Sequence, residues 1–221
     1  MKISKSWALF TAALLAFFVS VILAEGVISG GQKGGNNDVF WLSNDKVKCS
    51  VFFKEGKLVS DRLEAQPQWL SKFGTQPFGV ETDADFGLDV MWTGWRAPGK
   101  KNNAENPVML TKCNFQLMKH EVLDLPGIGR ELNLFFKGLN NSFELQITYQ
   151  LQDEAFYARR KVAVRDPESR RHFLRRVWPR RGLILGNVSV LKSGGFGQPL
   201  ALQSNEGGAF FGLEYPLQKI P

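Results

Sequence analysis

The chain has 221 residues, 43% hydrophobic and 22% charged, with a formal charge of +7. These proportions match a folded globular domain and exclude a disordered chain, a collagen and a multi-spanning membrane protein. Two His and two Cys leave little for a zinc site of the usual ligands, and neither a metal nor a cofactor is expected.

The N-terminal segment carries Lys2 and Lys5, then the uncharged apolar run Ala8 to Ala24, then Glu25. A basic head, an apolar stretch and a small residue before a polar region make a secretory signal peptide over residues 1–24. The apolar run falls just short of the ~20 residues that span a bilayer. An uncleaved anchor is the alternative, and a membrane is a partner only in that case. The remainder is expected to be secreted or periplasmic.

Residues 25–37, rich in Gly and Asn, read as a flexible leader, and 38–221 as one domain. Val39 to Ser43 and Val47 to Phe53 form a hairpin around Asn44-Asp45, and Lys57 to Leu63 follows the turn at Glu55-Gly56. Phe86 to Trp92, Val108 to Met118 and Glu131 to Lys137 come next. The clearest strand is Phe143 to Leu151, where Phe143, Leu145, Ile147, Tyr149 and Leu151 alternate with polar residues. That period of two marks a sheet with one wet and one buried face. Phe156 to Val164 places Phe156, Ala158, Val162 and Val164 inward and Tyr157, Arg159 and Lys161 outward. His172 to Arg176 fits a strand or a short helix, and Leu183 to Leu191 and Ala209 to Tyr215 complete the set. Many short strands with turn signals and no crossover helices predict an all-β, antiparallel β-sandwich.

Alternation puts Cys49 with Val47, Val51 and Phe53, and Cys113 with Met109, Phe115 and Leu117. Both thiols then point to the core side. Outside the cytoplasm they are expected either to form a Cys49–Cys113 disulfide or to remain two buried thiols.

The charge concentrates between Arg159 and Arg181. Arg159, Arg160, Lys161, Arg165, Arg170, Arg171, Arg175, Arg176, Arg180 and Arg181 face only Asp166 and Glu168 there. The reading favoured for it is a solvated sheet edge whose long basic side chains discourage strand addition. The other is a surface for anionic glycans or lipid headgroups. Export argues against nucleic acid as a partner.

Acidic pairs occur at Asp83 with Asp85 and at Asp153 with Glu154, where turn roles are expected. Glu81, Asp83 and Asp85 lack the spacing of an EF-hand calcium loop. His120 and His172 are isolated, with no Gly-x-Ser-x-Gly elbow nearby. The constellation closest to a binding site is Trp92, Trp95 and Arg96 with Asn102, Asn103 and Asn106. Aromatic platforms combined with hydrogen-bonding side chains suit a sugar. Trp92 in the core and the loop against another domain is the competing arrangement.

Thr82-Asp83-Ala84-Asp85-Phe86, Met91-Trp92-Thr93-Gly94-Trp95-Arg96-Ala97-Pro98-Gly99, Asn106-Pro107-Val108, Ala155-Phe156-Tyr157-Ala158-Arg159-Arg160-Lys161 and Gly212-Leu213-Glu214-Tyr215-Pro216 occur in this order. Together they resemble the N-terminal β-sandwich of secreted bacterial proteins related to α-galactosidases. The resemblance covers roughly Val39 to Pro216. It implies a supersandwich of the galactose-mutarotase-like kind, incomplete here, that precedes a catalytic (β/α)8 barrel. The barrel would bear the catalytic carboxylates, and it has no room in this chain, so no catalytic residue is carried over. Three functions follow as expectations. The first is a non-catalytic sandwich that supports a glycosidase barrel or contacts carbohydrate. The second is the truncated front of a glycoside hydrolase, and the third a basic module for anionic glycans or lipids.

Overall fold

Residues 26–34, 36–70, 78–92, 108–167, 172–181, 184–185, 189–192, 200–203 and 208–212 are described by the computed structural model. The expected signal peptide over 1–24 lies outside them. Among the described residues no helix is long and apolar enough to cross a membrane.

The chain is all-β, and its sheets are antiparallel with none closed into a barrel. The first sheet begins with β1 (Ile28–Gly34), β2 (Asn37–Ser43), β3 (Val47–Lys54) and β4 (Lys57–Ala65). After a one-turn helix, Pro67–Leu70, it adds β5 (Gly79–Thr82). Strand β6 (Gly87–Trp92) leaves for a small sheet with β7 (Val108–Leu110). A second large sheet contains β8 (Phe115–Leu125), β9 (Gly129–Gly138), β10 (Glu144–Gln152) and β11 (Ala158–Arg165). Strand β12 (His172–Trp178) returns to pair with β6, and β13 (Ile184–Leu185) pairs with β5. The last sheet is β14 (Ser189–Lys192), β15 (Leu200–Gln203) and β16 (Gly208–Phe211). The order is β1-β2-β3-β4-β5-β13 in the first sheet and β11-β10-β9-β8 in the second.

The two large sheets bury their apolar rows against each other, which is the arrangement of a sandwich. Phe40, Leu42, Cys49, Val51 and Phe53 come from the first sheet and Leu132, Leu134, Phe136, Leu145, Ile147 and Leu151 from the second. Phe53 and Phe136 meet across the layers with ring centroids 6.1 Å apart. Each fully buried aliphatic side chain here contributes about 1.5–3 kcal/mol.

Local chemistry sets the turns. Glu55 and Gly56 both adopt positive φ, 53° and 73°, the two-residue geometry whose twist matches a tight hairpin. At the far end Asn44 replaces backbone with side chain. Its Oδ1 accepts from the amides of Lys46 (2.9 Å) and Val47 (2.8 Å). Its Nδ2 donates to the carbonyls of Gln152 (2.9 Å) and Ala155 (2.7 Å). One buried side chain thus staples the β2–β3 turn to the β10–β11 turn of the opposite sheet.

The structure corrects several expectations. The segment read as a flexible leader forms β1 in full register with β2, Ile28↔Ser43 to Gly34↔Asn37. Its glycines serve packing. A Cβ on Gly30 would stand 2.3 Å from the Trp41 ring, so only a bare backbone lets that indole lie across the strand. The expected strand Val108 to Met118 is broken by a 3₁₀ turn, Lys112–Asn114. The Thr111 amide donates to Asn114 Oδ1 at 2.9 Å, and the Lys112 amide to Asp85 Oδ1 at 3.1 Å. These bonds turn Cys113 outward. Cys49 is buried, Cys113 is exposed, and both are free thiols, so the arrangement is neither the disulfide nor the pair of buried thiols. Phe156 lies ahead of β11 and is 57% exposed. His172 to Arg176 belongs to a strand, and Leu183 to Leu191 yields the two short strands β13 and β14.

Candidate functional site

Two clusters of polar side chains bear on function. One is buried and closed; the other borders an open groove.

The closed cluster centres on Asp61. A bulge at Phe52/Phe53 shifts the register of β3 and β4, and Asp61 faces the core, 4% exposed. An unpaired carboxylate there would cost several kcal/mol. Here it has three donor side chains. Arg180 forks onto it, with Nη1 2.9 Å from Oδ1 and Nη2 2.6 Å from Oδ2. Tyr149, on the core face of β10, donates its hydroxyl to Oδ2 at 2.7 Å. Thr82, on β5, donates to Oδ1 at 2.5 Å. Burial would raise the Asp61 pKa, but the Arg180 bonds and charge outweigh it, and the carboxyl sits below its ordinary value. Burial pushes the Tyr149 phenol well above its ordinary value and the Cys49 thiol up to about 12. Neither ionises near neutrality.

Arg160 extends the cluster. Its Nη2 donates to the Ala84 carbonyl and its Nη1 to that of Pro179, both at 2.8 Å. The guanidinium carbon lies 5.7 Å from the centre of the Tyr149 ring. The cluster joins β4, β5, β10, β11 and the stretch after β12. A carboxylate with this many fixed donors holds its charge and does not shuttle a proton.

The groove lies between the first sheet and the edge of β8. It encloses about 340 Å³, bordered by Lys33, Asp38, Phe40, Met118, Lys119 and His120. Lys33 and Asp38 face each other across the β1–β2 ladder. The His120 ring stacks on buried Phe40, with centroids 4.0 Å apart and planes at 29°. Burial lowers the His120 pKa, Lys33 lowers it further and Asp38 opposes them, so the imidazole favours its neutral form. A neutral imidazole donates and accepts, Asp38 accepts, Lys33 donates, and exposed Met118 adds a soft apolar contact, whereas the Lys119 ammonium bonds Glu121 at 2.6 Å and lies over the Phe135 ring. This set suits a small polyhydroxylated or otherwise polar ligand.

The other sequence-derived residues divide as follows. Trp92 ends β6, paired with His172. Trp95, Arg96, Asn102, Asn103 and Asn106 lie outside the described residues, as does Glu214. The acidic pairs have the turn roles expected of them. Asp83 Oδ1 accepts from the Asp85 amide at 3.2 Å. Asp153 Oδ1 accepts from the Val27 amide at 2.9 Å, and Glu154 pairs with Lys46 at 2.5 Å. Among the described residues no group of three or more His, Cys, Asp or Glu could hold a metal ion.

Sequence reasoning missed Asp61, Arg160 and Arg180 as one unit. One signal was present. Arg160 interrupts the apolar alternation Ala158, Val162, Val164, and a cation in an inward register implies a buried acceptor.

Only part of the basic segment lies at a sheet edge: β11 is the last strand of its sheet, whereas Arg160 and Arg180 turn into the Asp61 cluster, and Arg170 and Arg171 lie outside the described residues. Exposed Lys161 is 3.5 Å from Glu131, and exposed Arg165 is 3.7 Å from Glu144. The face therefore alternates in sign. No protein-family model, curated protein or solved structure matches the chain.

Proposed function

We propose that the chain is the non-catalytic β-sandwich of an exported carbohydrate-active protein, which contacts glycan or a glycosidase barrel without cleaving a glycosidic bond itself. The observation that carries this reading is the groove beside β8. Asp38, Lys33 and His120 supply hydroxyl-directed donors and acceptors around about 340 Å³. Sugar pockets combine a few such groups with apolar contact. The ordered motifs that resemble the front of α-galactosidase-like proteins support the same class of ligand. The acids bear on the non-catalytic half. Glycosidases need two carboxylates spaced across a substrate, whereas Asp61, Asp83, Asp85 and Asp153 are committed to internal donors.

Titration of the mature protein with neutral galactosides and with heparin fragments, followed by amide NMR shifts, tests the reading. Galactoside binding that persists at high salt, and that falls at least about tenfold in Asp38→Ala and His120→Ala, is expected; a tenfold loss is about 1.4 kcal/mol. Heparin binding that vanishes with salt, without galactoside binding, would assign the chain instead to anionic surfaces. Glycoside hydrolysis by the purified chain would reject the non-catalytic reading.

A further inference from the structure

Three turns and the start of β1 are gathered at one end of the sandwich. The Val27 amide donates to Asp153 Oδ1 at 2.9 Å, and the Asp153 amide donates to the Ile128 carbonyl at 2.9 Å. Asn44 joins the β2–β3 turn to the β10–β11 turn. Large apolar side chains stand open here: Ile28 is 57% exposed, Ile128 47% and Phe156 57%. The Tyr157 ring meets Phe156 edge-on with centroids 5.6 Å apart, and Arg159 donates to its hydroxyl at 3.0 Å. Apolar tips beside a tyrosine and an arginine are the composition of a bilayer interface. The groove borders Asp38 and Gly56, next to the β1–β2 and β3–β4 turns at the opposite end. Along β2, at ~3.3 Å per residue, Asp38 and Ser43 stand about 17 Å apart.

We propose that the apolar run before Glu25 stays attached and lies in the bilayer, and that this end of the sandwich rests among zwitterionic lipid headgroups with the groove facing away. Sequence and tether length select the occupant. Between Lys5 and Glu25 no residue is charged, and about 17 apolar residues are enough to span a bilayer. The cleavage signature is imperfect, because Ile22 stands at the third position back from a cut after Ala24, where a small residue is wanted. Only Glu25 and Gly26 separate Ala24 from Val27. Those residue steps, at no more than ~3.6 Å each, span about 11 Å. A headgroup layer is ~5–8 Å thick, so an anchored chain cannot hold this end clear of the lipid. Charge selects the headgroup. Lys46 serves Glu154 at 2.5 Å and Asp45 at 3.5 Å, and Arg130 serves Asp124 at 2.6 Å. With Asp153 and Glu25 the acids outnumber Lys46, Arg130 and Arg159. An anionic leaflet would repel that excess, whereas a zwitterionic headgroup offers a cation to the acids and a phosphate to Arg159.

The full chain, expressed for export and reconstituted in phosphatidylcholine vesicles, tests the proposal. The intact mass is expected to include residues 1–24, and the protein to stay with the membrane through an alkaline carbonate wash and to leave it in detergent. Depth is then read from nitroxide labels on single cysteines in a Cys113→Ser background, the other thiol, Cys49, being buried. Labels at Ile128→Cys and Phe156→Cys are expected to lose collisions with an aqueous nickel reagent and to gain collisions with oxygen. A label at Val59→Cys, exposed beside the β3–β4 turn, is expected to keep its access to nickel. Release of a soluble chain that begins at Glu25 would overturn the proposal, as would nickel access at positions 128 and 156 equal to that at 59. None of these readouts involves glycan binding, so this proposal and the preceding one fail separately.

Discussion

Arg180 and Asp61 stand 119 residues apart in sequence and meet through two hydrogen bonds, 2.9 and 2.6 Å long. The pair ties the segment after β12 to the middle of β4. Side-chain exposure is 5% at the carboxylate and 29% at the guanidinium. An ion pair with one face so dry is expensive to break from either side.

Asp61→Asn leaves the guanidinium without its counter-charge and is expected to cost about 3 kcal/mol, the lower end for a broken buried pair because Arg180 keeps some water contact. Urea denaturation of the variant beside the parent chain measures this. The pH dependence has a definite sign. The folded pKa of Asp61 is lowered, so its stabilisation is present above the unfolded value, about 3.9. It is lost as pH falls through the folded value. The Asn variant should lose less stability on acidification than the parent, and equal slopes would contradict the assignment.

Tyr149→Phe removes the 2.7 Å donor to Asp61 while keeping the ring in the core. A hydrogen bond to a charged group is worth about 1.5–3 kcal/mol. The expected result is a destabilisation in that range with unchanged secondary structure. A fall in melting temperature no larger than that of a surface control would show the hydroxyl to be dispensable.

Asn44→Ala deletes the staple between two turns that lie 108 to 111 residues apart in sequence. It strands several buried backbone groups at once, so a loss of about 2–4 kcal/mol is expected. Hydrogen exchange should accelerate first at Lys46, Val47 and the residues around Asp153. Uniform acceleration across both sheets would mean that the two turns are held by other contacts.

His120 is neutral by preference, its folded pKa held below the usual value by burial and by Lys33. Unfolded chains take up the proton first. The stability this group contributes is therefore complete above about pH 6.5 and declines as pH falls towards the folded value. His120→Gln should flatten that part of the profile, and an NMR titration of the imidazole should place its pKa under that of a model peptide. A pKa at or above that of the free side chain would contradict the assignment.

Cys113 is open to solvent and Cys49 is enclosed with its pKa near 12. Alkylation of the native protein under mild conditions is expected to add one label, at Cys113, because the thiolate is the reacting form. Denaturant should then expose the second thiol. Failure of Cys113 to react without reductant would restore the disulfide.

Much of the sandwich was legible because burial on one face leaves a period of two in the sequence. Residues 143–151 show it without interruption, and the structure places Leu145, Ile147, Tyr149 and Leu151 in the core. The signal fails where backbone does the packing. Gly30 and Gly31 carry no side chain to alternate, so β1 looked like a leader, although Trp41 depends on that absence. It fails again at Cys113, where hydrogen bonds from Thr111 and Lys112 twist an apparent strand into a 3₁₀ turn. Tyr149 was legible as a core residue but not as a donor, because its acceptor lies 88 positions upstream. The same holds for the groove, since Asp38 and His120 come from different sheets and have no local motif in common.

The late position of Arg180 has a consequence for synthesis. A ribosome-bound chain that has emerged only as far as β11 can assemble the second large sheet and strands β1 to β5 of the first, yet it must keep Asp61 without Arg180. Completion of the domain therefore waits for a residue made after every strand of the second large sheet.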